Sequence, residues 1–155
     1  MRYLILFMLF VCYACDDDFV NPYDGIEAPI TDSTLVAELE PTSLAGIHAS
    51  IFRPTCANSG CHDGTFEPDF RTINGTYNTL VNQAVIKNDP QNSFEFRVVP
   101  GDPESSQLMA RLTYDIDGNS GVMPLLTDPG SDYPENREDY IDRIREWIAR
   151  GAPRE

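Results

Sequence analysis

The stretch Ile51-Phe52-Arg53-Pro54-Thr55-Cys56-Ala57-Asn58-Ser59-Gly60-Cys61-His62 decides how this chain is read. It holds two of the four cysteines and one of the two histidines. A Cys-x-x-Cys-His run marks covalent haem attachment: two thiols add across the haem vinyl groups and the adjacent imidazole ligates the iron. Here the spacing is Cys-x4-Cys-His, two residues longer. Asn58-Ser59-Gly60 must then loop out for both sulfurs to reach one haem, and Gly60 makes such a bulge sterically easy. The same thiols have other uses. Two cysteines of an exported chain ordinarily pair as a disulfide, and a metal such as zinc is a further option. A disulfide does not explain His62, so haem is the preferred reading.

Upstream of this run the chain carries an export signature. Arg2 precedes the apolar run Tyr3-Leu4-Ile5-Leu6-Phe7-Met8-Leu9-Phe10-Val11. That is the pattern of a secretory signal, far short of the ~20 apolar residues that span a bilayer. Cys12-Tyr13-Ala14-Cys15 resembles a bacterial lipobox, with Ala14 in place and Cys12 and Tyr13 departing from the usual residues. Residues 1–14 are expected to be removed as a lipoprotein signal peptide and Cys15 to be lipidated. Asp16-Asp17-Asp18 then resembles the acidic export tag of Bacteroidetes lipoproteins. The expected location is the cell envelope, lipid-anchored at the outer membrane on its periplasmic or outer face. With Cys12 removed and Cys15 acylated, Cys56 and Cys61 are the thiols that remain.

Residues 15–40 hold eight acids and no Lys or Arg, with Pro22 and Pro29 among them. Such a segment cannot bury enough apolar surface to offset its ordering entropy, so it reads as a disordered acidic tether. Residues 41–155 form one small domain. The whole chain has 25 acids against 11 bases, a formal charge of -14. That excludes a phosphate-binding basic surface, and with it nucleic acid as partner. It favours a redox partner with a basic surface, met faster at low salt.

Within the domain four helices are expected. Leu44, Ile47, Ile51 and Phe52 predict a helix over 43–52 that stops before Pro54. A second, over 76–83, follows the turn dipeptide Asn74-Gly75 and carries Tyr77, Leu80 and Val81. A third begins with Asp102 as N-cap, Pro103 in the first position and Glu104 in the first turn. Its apolar face is Leu108, Met109 and Leu112. The fourth, over 137–150, repeats Tyr140, Ile141, Ile144, Trp147 and Ile148 at helical spacing, with Gly151 as the C' residue. Only 94–99 could be a strand. The fold class is therefore all-α, with long loops of the kind that wrap a ligand.

Taken together, these runs are similar to a known family. Ile51-Phe52, Cys56, Gly60-Cys61-His62-Asp63-Gly64, Val99-Pro100-Gly101-Asp102-Pro103-Glu104-Ser105-Ser106-Gln107-Leu108, Met123-Pro124 and Ile144, Trp147-Ile148, Gly151-Ala152 resemble the cytochrome c-like domains of Bacteroidetes and Planctomycetes exported proteins. The resemblance covers nearly all of 41–155. It implies a class I cytochrome c-like fold, with helices at the two ends of the domain crossing and one covalently attached haem c between them. It implies His62 as proximal iron ligand and Met123, of the Met-Pro pair, as distal ligand. Met109, on an apolar helix face, reads as packing, and His48 is the runner-up distal ligand.

A His/Met pair favours ferrous iron and leaves no iron position for substrate. The implied function is a monohaem c-type cytochrome carrying single electrons, not an enzyme. The alternative is a non-redox binding or accessory surface lipoprotein, with Cys56 and Cys61 as a disulfide or metal site. Asp115, Asp117 and Asn119 have the odd-numbered spacing of a calcium loop. Ser120 stands where its glycine belongs and Leu126 where its glutamate does, so a tight polar turn is the better reading.

Overall fold

The computed structural model describes residues 39–155. The expected signal peptide, Cys15 and all but the last two residues of the expected acidic tether lie outside the described residues. Those described are all-helical, with four helices and no strand.

The first helix, α1 (Leu44–Ile47), continues without a break into a π-helical stretch, His48–Cys56. Ser43 is its N-cap, and the side-chain oxygen accepts the Gly46 N–H at 3.0 Å. The expectation that the helix stops before Pro54 is corrected: it runs through Pro54 to Cys56. In an α-helix the proline ring collides with the carbonyl four residues back. The wider π turn relieves that collision, and the Ala57 N–H donates to the Phe52 carbonyl five residues back at 3.1 Å. Gly46 is needed for a separate reason. A Cβ there would lie 2.2 Å from the Glu40 carbonyl oxygen, where the chain passes on its way into the helix.

Helix α2 spans Ile73–Leu80, three residues earlier than expected at each end. Thr72 caps it, its hydroxyl accepting the Gly75 N–H at 2.9 Å, so Asn74-Gly75 forms the first helical turn and not a turn before it. At the other end Val81 is extended and bridges to Val98. The 94–99 segment makes isolated bridges of this kind and no strand.

Helix α3 spans Gln107–Thr113. Asp102 does not cap it. Its carboxylate accepts the Ser105 N–H at 3.1 Å within a separate turn. The buried Ser106 hydroxyl donates to the Asp102 carbonyl at 2.8 Å and accepts the Val99 N–H at 2.8 Å. The first free N–H groups of α3, those of Gln107 and Leu108, donate to the carbonyls of Phe96 and Arg97. A partner distant in sequence therefore sets this helix start. Helix α4, Tyr133–Ala149, begins four residues before the expected position, because Pro134 is compatible with a first helical turn.

Helix α4 packs against both halves of the first helix. Leu44, Ile47, Ile51 and Phe52 meet Tyr140, Ile141, Ile144, Trp147 and Ile148 in one buried cluster. Trp147 has no exposed surface, and its indole N–H donates to the Pro153 carbonyl at 2.8 Å. The C-terminus closes as expected. Gly151 takes φ +96°, its N–H reaches the Ile148 carbonyl at 2.9 Å, and the Ala152 N–H reaches Trp147 at 2.9 Å.

Candidate functional site

A cavity of about 460 Å³ opens beside the end of the first helix. That size is within the roughly 300–1,000 Å³ of sites for organic ligands. Cys56, Cys61, His62 and Met123 all line it. Chain folding thus brings Met123 to one chamber with a motif more than 60 residues away. His48 is not among the lining residues. It is buried, and its Nε2 lies 3.1 Å from the Phe70 carbonyl oxygen. Met109 is buried in the core, as its place on an apolar helix face implies.

The loop between the cysteines has the form its spacing requires. The Cys61 N–H donates to the Asn58 carbonyl at 2.9 Å, and the His62 N–H returns to the Cys56 carbonyl at 3.2 Å. Gly60 takes φ +79°, a left-handed conformation that costs glycine little. Asp63 holds the far side, its carboxylate accepting the N–H groups of Gly60 at 3.1 Å and Thr65 at 3.2 Å. Cys56 is half-buried and Cys61 exposed, and both are free thiols. Burial, reinforced by the neighbouring Cys61, pushes the Cys56 thiol up to about 12. Such a thiol carries almost no thiolate at neutral pH and is a poor enzymatic nucleophile.

His62 stands edge-on to Phe70, ring centroids 5.2 Å apart. Its Nδ1 is buried without a hydrogen-bond partner. Burial lowers its pKa; the Pro68 and Phe66 carbonyls act in the opposite sense without forming a hydrogen bond to Nδ1. The imidazole is therefore neutral at physiological pH, the form that binds a metal. Met123 is half-buried against the core, and its N–H donates to the Arg111 carbonyl at 2.8 Å.

The remaining wall is mostly apolar, with Phe52, Phe70, Leu80, Leu108 and Leu112 at the back. At the mouth stand Phe66, Ile86, Leu125 and Leu126, all exposed, Leu126 at 81%. Sequence reading missed a set of polar groups on the wall: Arg97, Gln107, Arg111 and Lys87. Buried Arg97 donates to the Thr79 carbonyl at 2.6 Å and pairs with Glu67 at 2.7 Å. Its signal was present, since an Arg between Phe96 and Val98 is out of place in an apolar run. Nothing in the sequence singles out Lys87 or Arg111.

The polar turn after α3 is as its composition implies. Asp117 accepts from the N–H groups of Asn119 (3.0 Å) and Ser120 (2.7 Å) and from the Ser120 hydroxyl (2.7 Å), and pairs with Lys87 at 2.9 Å. The Ser120 hydroxyl, then Lys87, hold its carboxyl far below the usual range. Among the described residues no three His, Cys, Asp or Glu side chains group as a metal site. No helix of the described residues is long and apolar enough to cross a membrane.

The chain matches no protein-family model, no curated protein and no solved structure.

Proposed function

We propose that this chain is an exported, lipid-anchored, monohaem c-type cytochrome-like protein that carries single electrons at the cell envelope. One observation carries the reading: Cys56, Cys61, His62 and Met123 line a single, mostly apolar cavity of about 460 Å³. The residues present fit a haem. The chamber offers apolar walls for a porphyrin, two thiols on one loop, a neutral imidazole beside them and a thioether from a different segment. A covalent haem c would supply a one-electron iron couple.

Each residue then has a task that follows from its chemistry. Cys56 and Cys61 would hold the haem, their S–H groups adding across its two vinyl groups to give two thioether bonds with no net oxidation. His62 supplies a neutral nitrogen and Met123 a soft sulfur, a pair that raises the reduction potential relative to two histidines. The apolar walls exclude water, which further favours the less charged ferrous state. The formal charge of -14 steers a basic partner towards the molecule, and salt screens that attraction. Lipidation of Cys15 ties the whole to the membrane, and the class I cytochrome c-like arrangement of end helices belongs to the same proposal.

The test is the visible spectrum of the membrane-extracted protein, reduced and in pyridine, with denaturing mass spectrometry of the same sample. A c-type haemochrome and a mass raised by one covalent haem are expected. A colourless protein lighter by two hydrogens would sink the reading and leave a disulfide-stapled binding lipoprotein in its place.

A further inference from the structure

We propose that Arg111 is the carboxylate-binding group of this cavity, receiving an acidic side arm of the bound ligand; on the haem reading above, a propionate. The inference deepens that reading and rests on it. Arg111 lines the cavity, and its Nη1 is buried without a hydrogen-bond partner. An unmade bond on a buried charged donor is expensive, so a stable complex needs an acceptor there.

The neighbouring groups do not supply one. Arg111 Nη2 is used on the Lys87 carbonyl at 3.0 Å. The nearest acid on Nη1 is Asp117, whose Oδ2 is 3.8 Å away, beyond hydrogen-bond length. That carboxylate is already engaged by Asn119, Ser120 and Lys87. The other polar groups of the wall are also committed. Arg97 spends one nitrogen on Thr79 and the other on Glu67. Gln107 Nε2 donates to the Lys87 carbonyl at 2.6 Å. Lys87 is largely exposed and paired with Asp117, so among the described residues Arg111 is the wall's cation with a buried nitrogen that lacks a hydrogen-bond partner. A guanidinium is also suited to the task, since its planar fork matches a carboxylate.

Arg111 has a second connection to the site. Its backbone carbonyl accepts the Met123 N–H at 2.8 Å. One residue therefore holds the Met123 segment through its main chain and a carboxylate through its side chain. Replacing the side chain leaves the main-chain bond available, so the two roles can be separated.

The experiment compares the wild-type protein with Arg111→Gln and Arg111→Lys, each purified from membranes as the full exported chain. It reads haem content, reduction potential and the resonance Raman bands of the haem carboxylate arms. Loss of a nearby cation favours ferric iron. Arg111→Gln is expected to keep one covalent haem and shift the oxidised-to-reduced equilibrium about tenfold towards oxidised, ~59 mV for one electron. The carboxylate bands should move with it. Arg111→Lys keeps the charge and should retain most of the potential, yet still move the bands because the fork is gone. If haem-loaded Arg111→Gln keeps the wild-type potential and bands, the carboxylate assignment falls while the haem reading stands. Should Arg111→Gln fail to fold, Arg111→Lys decides: unmoved bands overturn the assignment. A wild-type protein without haem overturns both.

Discussion

The seam between the first helix and α4 and the mouth of the cavity are built from the same kinds of apolar side chain, and the two end in opposite states. Ile47, Trp147 and Ile148 have no exposed surface, whereas Ile86 is 75% and Leu126 81% exposed. In the seam each apolar group meets another from the chain itself, through amphipathic helices whose faces match. At the mouth, among the described residues, Phe66, Ile86, Leu125 and Leu126 stay largely exposed. A small domain rarely leaves four large apolar residues round one opening unless something else packs there. The seam accounts for the fold, and the mouth is where the proposed ligand would pack.

Substitutions on either side test that contrast, and the largest effect belongs to the cavity. On the proposed haem reading, His62→Ala should abolish the haem-loaded domain, read as loss of the c-type visible spectrum. A spectrum that survives unchanged would remove His62 from the site. Next comes the seam itself: Trp147→Ala should cost about 3–5 kcal/mol in urea unfolding, through lost burial and the cavity left behind. A cost below ~1 kcal/mol would mean that α4 is not what holds the domain together.

Met123→Ala is intermediate, since it removes an expected ligand without removing either thiol. It should leave haem attached, lower the reduction potential and open the iron to added ligands. An unmodified spectrum and potential would free Met123 from its assignment. The smallest stability effect is expected at the mouth. Leu126→Ser should change unfolding free energy by no more than about 0.5 kcal/mol, because that side chain is solvated already. A loss like that of Trp147→Ala would show that the rim is part of the core after all.

The seam also carries a pH signature. Burial, then the hydrogen bond to Asp132 at 2.8 Å, pushes the Tyr140 hydroxyl up to about 12 from an ordinary 10. Below pH 10 both folded and unfolded chains hold this proton, and the contribution is fully present. Between 10 and 12 the unfolded chain gives it up first, so stability falls as pH rises. Tyr140→Phe should flatten the alkaline limb of a stability-against-pH curve; an unaltered limb would show that Tyr140 is not responsible for it.

Helix existence was legible in the chain, and helix ends much less so. Spacing of apolar residues locates all four helices, and Gly151 marks the last terminus correctly because its left-handed cap is a local property. Asp102-Pro103-Glu104 is as good a local start signal as the chain contains, yet α3 begins at Gln107. Carbonyls from residues 96 and 97 satisfy its first N–H groups, and no local rule contains that information. Pro54 misleads in the same way, since a stop signal for an α-helix is tolerated by the wider π turn.

Features that rest on neighbours along the chain were legible without the fold: an all-helical domain, the two thiols with His62 beside them, the glycine-eased bulge between the thiols and the polar turn at Asp117. Tertiary structure alone decided which distant groups meet. It put Met123 in one chamber with Cys56, Cys61 and His62, left His48 off that chamber's wall, and set Arg97 and Arg111 into that wall. The physical reason is one of range. Caps, turns and helical faces depend on residues a few positions apart. Burial, the pairing of a charge and the closing of a cavity depend on chain segments that only folding brings together.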